Sequence, residues 1–269
     1  MATLAIATAA GTIHAEATRP APWAAPGPTV VFVHGVGADT GIWSDWRAVL
    51  GRRFPTVSLD LPGHGRSFRP TGALDWTFDD LVALVHRAGE AAGAGRLILV
   101  GESIGGTLCL AAAMDRDDVG AVVTASTAHV GGSLGHVREW RDLMATGGIE
   151  GWSADMLGKR FMPGQATAER RAWFDRAQRA SDGETVLALA DMLVGLDLTE
   201  RLPAIRCPVL LIHPDSSPFI PLDLPVALRA GLPDAELMVI PGARHGIACS
   251  HGRTCADAAL DFLARRGIA

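Results

Sequence analysis

Short runs of consecutive apolar residues recur along the chain, and most of them end at a glycine or a proline. The runs are rich in Val, Ile and Leu, which predicts strands that are buried on both faces. They lie at residues 29–35, 56–65, 96–101, 119–126, 207–214 and 235–242. Ahead of them, the first 17 residues predict two further short strands that turn at Ala9–Gly11.

Segments with apolar residues at helical spacing separate these runs. Residues 77–93 place their apolar positions on one face, with Thr77 as the expected N-cap and Asp80 three residues on. Further helices are expected from near Ile104 and, with Thr254 as N-cap, from about Thr254 to Arg266. Strands that alternate with helices predict an α/β fold with a mostly parallel sheet covered on both faces.

Residues 128–200 interrupt the alternation, because they contain no convincing strand pattern. Their aromatic residues fall at helical spacing instead. We therefore predict a core made of residues 1–127 and 201–269, with residues 128–200 as a helical cap over the sheet. The Pro-rich stretch at residues 18–29 is expected to be a surface connection.

Composition and charge exclude several classes of protein. The chain has 269 residues, of which 48% are hydrophobic, and a net charge of −5, so it lacks the basic surface that binds nucleic acid or anionic membranes. No apolar run reaches the roughly 20 residues of a membrane span, and the start lacks the features of a signal peptide. We expect a cytoplasmic protein that acts on a small molecule, and the sequence leaves its oligomeric state open.

No metal or cofactor is expected either. The histidines and the four cysteines show no ligand spacing such as C-x-x-C. Neither a phosphate-binding P-loop nor a dinucleotide-binding glycine motif follows a predicted strand.

Ser103 is the first candidate for chemistry. Gly101-Glu102-Ser103-Ile104-Gly105 matches G-x-S-x-G, with a predicted strand before it and a predicted helix after it. A sharp turn at this junction needs small neighbours and lifts the hydroxyl above the carboxyl ends of the strands. We therefore interpret Ser103 as a nucleophile rather than as a simple helix cap.

A serine nucleophile needs a base, and the base needs an orienting carboxylate. His245 follows the last predicted strand and so reaches the same edge of the sheet as Ser103; His251 in the same loop is its rival. Asp215 lies just past the strand at 207–214, and Asp223 is the alternative acid. The order Ser103, Asp215, His245 predicts a Ser-His-Asp triad.

Five stretches, FVHGVG, LDLPGHGRS, GESIGG, HPDSSPFIP and PGARHG, together resemble the α/β-hydrolase superfamily over nearly the whole chain. The resemblance implies an α/β-hydrolase fold and an oxyanion hole made of the backbone N–H groups of Val36 and Ile104. It also implies a structural role for His64. One departure concerns the acid, since relatives often carry it about five residues before a proline, whereas Asp215 lies six before Pro221.

The predicted cap loosely resembles that of 3-oxoadipate enol-lactonases and short bacterial carboxylesterases. On that resemblance Arg160 is expected to meet a substrate carboxylate, and Trp152, Phe161 and Met162 to line an apolar pocket. The prediction is a serine hydrolase that cleaves a small carboxylic ester or lactone through an acyl-enzyme. Two alternatives stay open: a carbon–carbon bond hydrolase or cofactor-free perhydrolase on the same triad, and a ligand receptor with slow turnover.

Overall fold

A central sheet positions everything else in the chain. The structure is a computed structural model that describes residues 1–20, 27–132, 134 and 139–269. The described residues form eight strands, in the spatial order β1-β2-β4-β3-β5-β6-β7-β8. They are β1 (Ala2–Ala7), β2 (Thr12–Thr18), β3 (Thr29–Val33), β4 (Thr56–Leu59), β5 (Leu97–Glu102), β6 (Val119–Ala125), β7 (Val209–Pro214) and β8 (Ala235–Ile240).

The direction of the strands brings several loops to one edge. β1 and β2 form an antiparallel hairpin on β4, and every other neighbouring pair is parallel. The register pairs Val33 with Gly101, Glu102 with Ala125, and Pro214 with Ile240. The chain therefore leaves β3, β5, β6, β7 and β8 at the same edge of the sheet, which is where ligands bind in open α/β sheets.

Helices cover both faces of the sheet, as the alternation predicts. They are α1 (Ser44–Leu50), α2 (Phe78–Ala91), α3 (Ile104–Ala112), α7 (Asp223–Gly231), α8 (Ile247–Ser250) and α9 (Gly252–Arg265). Alternate residues of the strands point into two cores: Val31 and Leu99 face α2 and α3, whereas Phe32 and Val100 face α1 and α9. The mostly parallel, two-sided sheet of the predicted fold class is thereby confirmed.

The helix ends follow the predicted signals in part. Thr77 and Asp80 form a capping box at the start of α2, as expected. The expected cap at Thr254 is wrong, because α9 already begins at Gly252, after a short turn of helix at α8. Residues 21–26 of the Pro-rich stretch lie outside the described residues.

Between β6 and β7 the described residues form three further α-helices, followed by a 3-10 helix at Thr199–Ala204. The α-helices are α4 (Trp140–Arg160), α5 (Ala168–Arg179) and α6 (Gly183–Val194). α4 bends at Gly148, whose φ of +62° suits a glycine, and it packs against both α5 and α6. The described residues of this segment contain no strand beyond the isolated bridge between Val130 and Asp197. The division of the chain at residues 128 and 200 stays a prediction.

Across the described part of the chain, none of the helices combines the length and the apolar character needed to cross a membrane.

Candidate active site

Ser103 stands on a strained turn between β5 and α3. Its backbone has φ +55° and ψ −125°, a conformation that costs a non-glycine residue about 1–3 kcal/mol. The turn is tight enough that a Cβ at Gly101 would lie 2.3 Å from the carbonyl oxygen of Gly105, and one at Gly105 would lie 2.1 Å from that of Val33. The small residues around Ser103 therefore permit the turn that presents its hydroxyl at the N-terminus of α3.

His245 reaches Ser103 from the loop after β8. Its Nε2 lies 3.1 Å from the Ser103 hydroxyl oxygen, within hydrogen-bond distance. The side chain is 3% exposed, and Ser126 donates a hydrogen bond to the His245 carbonyl oxygen at 2.7 Å. Burial, together with the positive charge of Arg160 and the neighbouring His213, lowers the pKa of His245 well below its ordinary value. The structure thus brings together the predicted serine and histidine, with the imidazole neutral.

The rival histidine points elsewhere. The Nδ1 atom of His251 lies 2.9 Å from the hydroxyl of its neighbour Ser250, in the turn between α8 and α9.

Asp215 does not contact the imidazole, which corrects the expected pairing of Asp215 with His245. Its carboxylate accepts hydrogen bonds at 2.8 Å from the Gly242 N–H and from the Ser216 hydroxyl. These bonds hold the pKa of Asp215 below its ordinary value, while the side chain stays exposed. Asp215 is the first residue after β7, and its hydrogen bond from the Gly242 N–H holds the carboxylate against the loop after β8. The alternative acid, Asp223, is exposed in the first turn of α7.

Ser217 occupies the position beside the imidazole that was expected for the acid. Its hydroxyl oxygen lies 3.2 Å from Nδ1 of His245. The same oxygen accepts the backbone N–H groups of Phe219 at 3.3 Å and Ile220 at 3.2 Å. Among the hydrogen bonds of the described residues, none joins a carboxylate to His245. The constellation at the sheet edge is therefore Ser103, His245 and Ser217.

The loop after β3 carries the expected oxyanion donor, Val36. Two buried histidines brace this loop: His34 accepts the Leu61 N–H at 2.9 Å, and His64 accepts the Gly37 N–H at 3.0 Å. Burial lowers the pKa of His34 to about 4 and that of His64 to about 3. Both imidazoles are therefore neutral supports, in line with the structural role expected of His64.

The Val36 N–H donates no hydrogen bond to any acceptor within the described ranges, and Val36 lines the cavity beside Ser103. Ile104 supplies a second N–H at the first position of α3, where a helix leaves its N–H groups without an intrahelical partner. This arrangement is compatible with the predicted oxyanion hole.

Arg160 is buried beside the nucleophile. Its guanidinium donates to the Val36 carbonyl oxygen at 2.5 Å and lies 3.4 Å from the carboxylate of Glu102, the residue before Ser103. The exposures of the two side chains are 2% and 0%. Burial raises the pKa of Glu102, and the charge of Arg160 opposes that rise. Arg160 therefore joins the end of α4 to both the nucleophile strand and the oxyanion loop, and its expected contact with a substrate carboxylate stays a prediction.

A small cavity lies over Ser103 and His245. Its volume is about 20 Å³, which is room for about one water molecule. Arg160 is the charged group in its lining. The remaining walls are apolar side chains from the helical segment and from the loop after β7: Leu134, Trp140, Ala190, Leu193, Phe219 and Ile220. An open cleft of about 660 Å³ near β1 has no acid, histidine, serine or cysteine in its described lining, so it offers no alternative site of acid–base chemistry.

Three residues expected to line the pocket lie outside this lining. The Trp152 ring is buried against Gly37 and packs edge-on to Trp140, with ring centroids 5.3 Å apart. Phe161 is buried edge-on against Phe174 at 5.2 Å. Met162 is only half-buried. These aromatic side chains pack between the helices and the core, as aromatic residues at helical spacing usually do.

The sequence gives weak signals for the residues that it did not identify. Ser217 lies four residues before Pro221 and Asp215 lies six before it, so an expected spacing of about five points to neither. His213 is buried in β7, and its Nε2 lies 3.1 Å from the Ile220 carbonyl oxygen. Phe219 packs edge-on against His245, with ring centroids 4.9 Å apart. Ser217, His213 and Phe219 belong to no sequence motif that would have marked them as neighbours of His245.

Comparison with known proteins defines the class. A sequence profile of the alpha/beta hydrolase family matches residues 30–259. The chain therefore belongs to the alpha/beta hydrolase family, and the resemblance expected from the five motifs is confirmed.

A relative and two solved structures illustrate this membership. A protein of Klebsiella pneumoniae subsp. pneumoniae that is named as a carbamate hydrolase, RutD, is 28% identical over 239 residues, covering 84% of this chain and 87% of its own. An enol-lactonase from Burkholderia xenovorans superposes with a TM-score of 0.85 at 20% identity, over 97% of this chain and 100% of its own. A thermophilic esterase from Thermogutta terrifontis superposes with a TM-score of 0.81 at 23% identity, over 98% and 99%. At these identities the two structures show the shared fold.

Proposed function

We propose that the chain is a serine hydrolase that cleaves a small carboxylic ester or lactone through an acyl-enzyme. The observation that carries the proposal is the strained Ser103 backbone with the Nε2 atom of His245 at 3.1 Å from its hydroxyl. A serine that only capped a helix would need neither the strain nor a buried imidazole as its partner.

The mechanism follows from the positions of these groups. Ser103 attacks the acyl carbon while its proton passes to Nε2 of His245. The N–H groups of Val36 and Ile104 stabilise the oxyanion that forms, and the imidazolium returns the proton to the leaving oxygen. A water molecule then hydrolyses the ester on Ser103 with His245 again as base.

The substrate class is argued from the cavity and from the family. Apart from Arg160 the walls are mainly apolar, which favours a small acyl group with an apolar chain, and the cavity volume of about 20 Å³ is too small to hold such a group. The helices that wall the cavity, α4 and α6, therefore act as a cap that must move before substrate enters. The relatives are named as a carbamate hydrolase, an enol-lactonase and an esterase. Carbamates, lactones and esters all contain a carbonyl carbon bonded to oxygen, which supports this reaction class.

A panel of esters, lactones and carbamates tests the proposal. We expect turnover of at least one short-chain substrate by the parent protein, with a loss of several orders of magnitude in Ser103→Ala and in His245→Ala. Turnover that survives in Ser103→Ala would overturn the proposal. Ketone products or dependence on peroxide would redirect it to carbon–carbon bond hydrolysis or perhydrolysis.

One observation favours a second candidate function, a ligand receptor with slow turnover. His245 has a hydroxyl rather than a carboxylate at Nδ1, and its pKa is lowered, so the base is weak. Very slow hydrolysis together with a rise in melting temperature on adding a lactone or ester would support this candidate. Rapid turnover without such a shift would exclude it.

A further inference from the structure

Ser217 is the group whose chemistry the proposed mechanism leaves unused. A serine hydroxyl has one hydrogen to donate and two lone pairs with which to accept. The Phe219 and Ile220 N–H groups both donate to the Ser217 oxygen, at 3.3 Å and 3.2 Å. Pro218, between them and Ser217, has no N–H to add. With both lone pairs engaged, the hydroxyl hydrogen is the part of Ser217 left for Nδ1 of His245 at 3.2 Å.

We propose that Ser217 is a positioning residue that donates to Nδ1 and so holds His245 in the tautomer with its proton on Nε2. In this tautomer Nε2 donates to the Ser103 hydroxyl at 3.1 Å. A base must instead accept the serine proton at Nε2, so the reactive tautomer is the minor one.

The surrounding groups do not reverse this preference. Asp215 is engaged by the Gly242 N–H and by Ser216, and Asp223 is exposed on α7. The charged group next to His245 in the cavity is Arg160. Because Arg160 is a cation, it neither accepts a hydrogen bond from a proton on Nδ1 nor stabilises a positively charged imidazolium.

The kinetic consequence, which rests on the proposed function, is slow acylation of Ser103. The penalty has two parts: the reactive tautomer must first form, and among the described residues no carboxylate forms a hydrogen bond with the imidazolium that follows. In Ser-His-Asp triads, replacing the acid by its amide gives the wrong tautomer and lowers kcat by about 10⁴. The chain should therefore gain reactivity if a carboxylate is placed at residue 217.

Ser217→Asp is the test variant, and Ser217→Asn is its matched neutral control. Residue 217 is half-exposed. In each variant one side-chain oxygen can accept the Phe219 and Ile220 N–H groups, as the Ser217 hydroxyl oxygen does. The remaining carboxylate oxygen of aspartate then accepts Nδ1–H, whereas the remaining amide of asparagine donates to Nδ1. The two variants are alike in size and opposite in the tautomer that they favour.

The tautomer is measured directly by long-range ¹H–¹⁵N NMR at neutral pH on protein with ¹⁵N-labelled histidine, with the His245 signals assigned from their absence in His245→Gln. We expect the proton on Nε2 in the parent and in Ser217→Asn, and on Nδ1 in Ser217→Asp. A proton on Nδ1 of the parent protein would overturn the proposal, whatever the enzymatic activity.

The rate of fluorophosphonate labelling of Ser103 supplies the second readout. We expect Ser217→Asp to label at least tenfold faster than the parent, and Ser217→Asn to show no such gain. Equal rates for the two variants would overturn the role of Ser217 in reactivity. Absence of an adduct on Ser103 in the parent and in both variants would instead count against the proposed hydrolase, while the NMR result still decides the tautomer.

Discussion

The two buried histidines under the oxyanion loop make stability depend on pH in a calculable way. His34 and His64 are 0% and 1% exposed, and their pKa values fall from 6.5 to about 4 and about 3. Between pH 6.5 and pH 4 the unfolded chain therefore binds protons at these two residues that the folded chain does not bind. Folding stability must fall as pH falls through this window.

The magnitude follows from the linkage of proton binding to folding. Each such histidine lowers the free energy of unfolding by about 1.4 kcal/mol per pH unit below 6.5. Between pH 7 and pH 5 the two residues together remove about 4 kcal/mol, out of the 5–15 kcal/mol typical of a folded domain. Glu102 opposes the loss because burial raises its pKa, whereas the lowered pKa of His245 adds to it.

Urea denaturation of the parent and of His64→Gln at pH 7, 6 and 5 separates the contribution of His64 to the pH dependence of stability from the other contributions. Glutamine can accept the Gly37 N–H that His64 accepts, but it does not titrate. We expect the variant to lose about 2 kcal/mol less than the parent between pH 7 and pH 5. His251→Gln, at a half-buried histidine, is the control and should change this difference much less. Identical pH dependence in His64→Gln and the parent would refute the assignment of His64 as a neutral buried support.

Two further predictions concern packing around the nucleophile. Gly105→Ala places a Cβ 2.1 Å from the Val33 carbonyl oxygen, so we expect thermal denaturation to show a loss of more than about 2 kcal/mol in stability. The control is Gly158→Ala, whose Cβ would have no atom within 4 Å and which should be neutral or stabilising. Equal melting temperatures for the two variants would contradict the tight turn. Arg160→Met leaves Glu102 buried without its cation and should cost about 3–5 kcal/mol. Adding Glu102→Gln to Arg160→Met should restore part of that loss, and a double variant no more stable than the single one would show that the pair is not coupled.

The fold could be predicted from the sequence because its signals are local. The apolar runs identify the strands, and the G-x-S-x-G stretch lies where β5 meets α3. Parallel strands end at one edge, so the order of the loops alone brings Ser103 and His245 together. These inferences need only the direction of the chain and the size of a few side chains.

The rest of the site depends on distances that the sequence does not contain. Asp215 and Ser217 differ by two positions in one loop, and only the path of the chain after β7 decides which of them faces Nδ1. In the same way, residue type and spacing do not reveal that the end of α4 directs Arg160 to Glu102 and the Val36 carbonyl oxygen. A loop conformation and a helix end are set by tertiary packing, for which residue type and spacing are weak guides.

The central claim is that His245 activates Ser103, and intact mass after fluorophosphonate treatment tests it most directly. The account predicts a single adduct on the parent protein, located on Ser103, absent from Ser103→Ala and formed far more slowly in His245→Ala. An adduct that forms equally fast without His245, or that persists without Ser103, would contradict it.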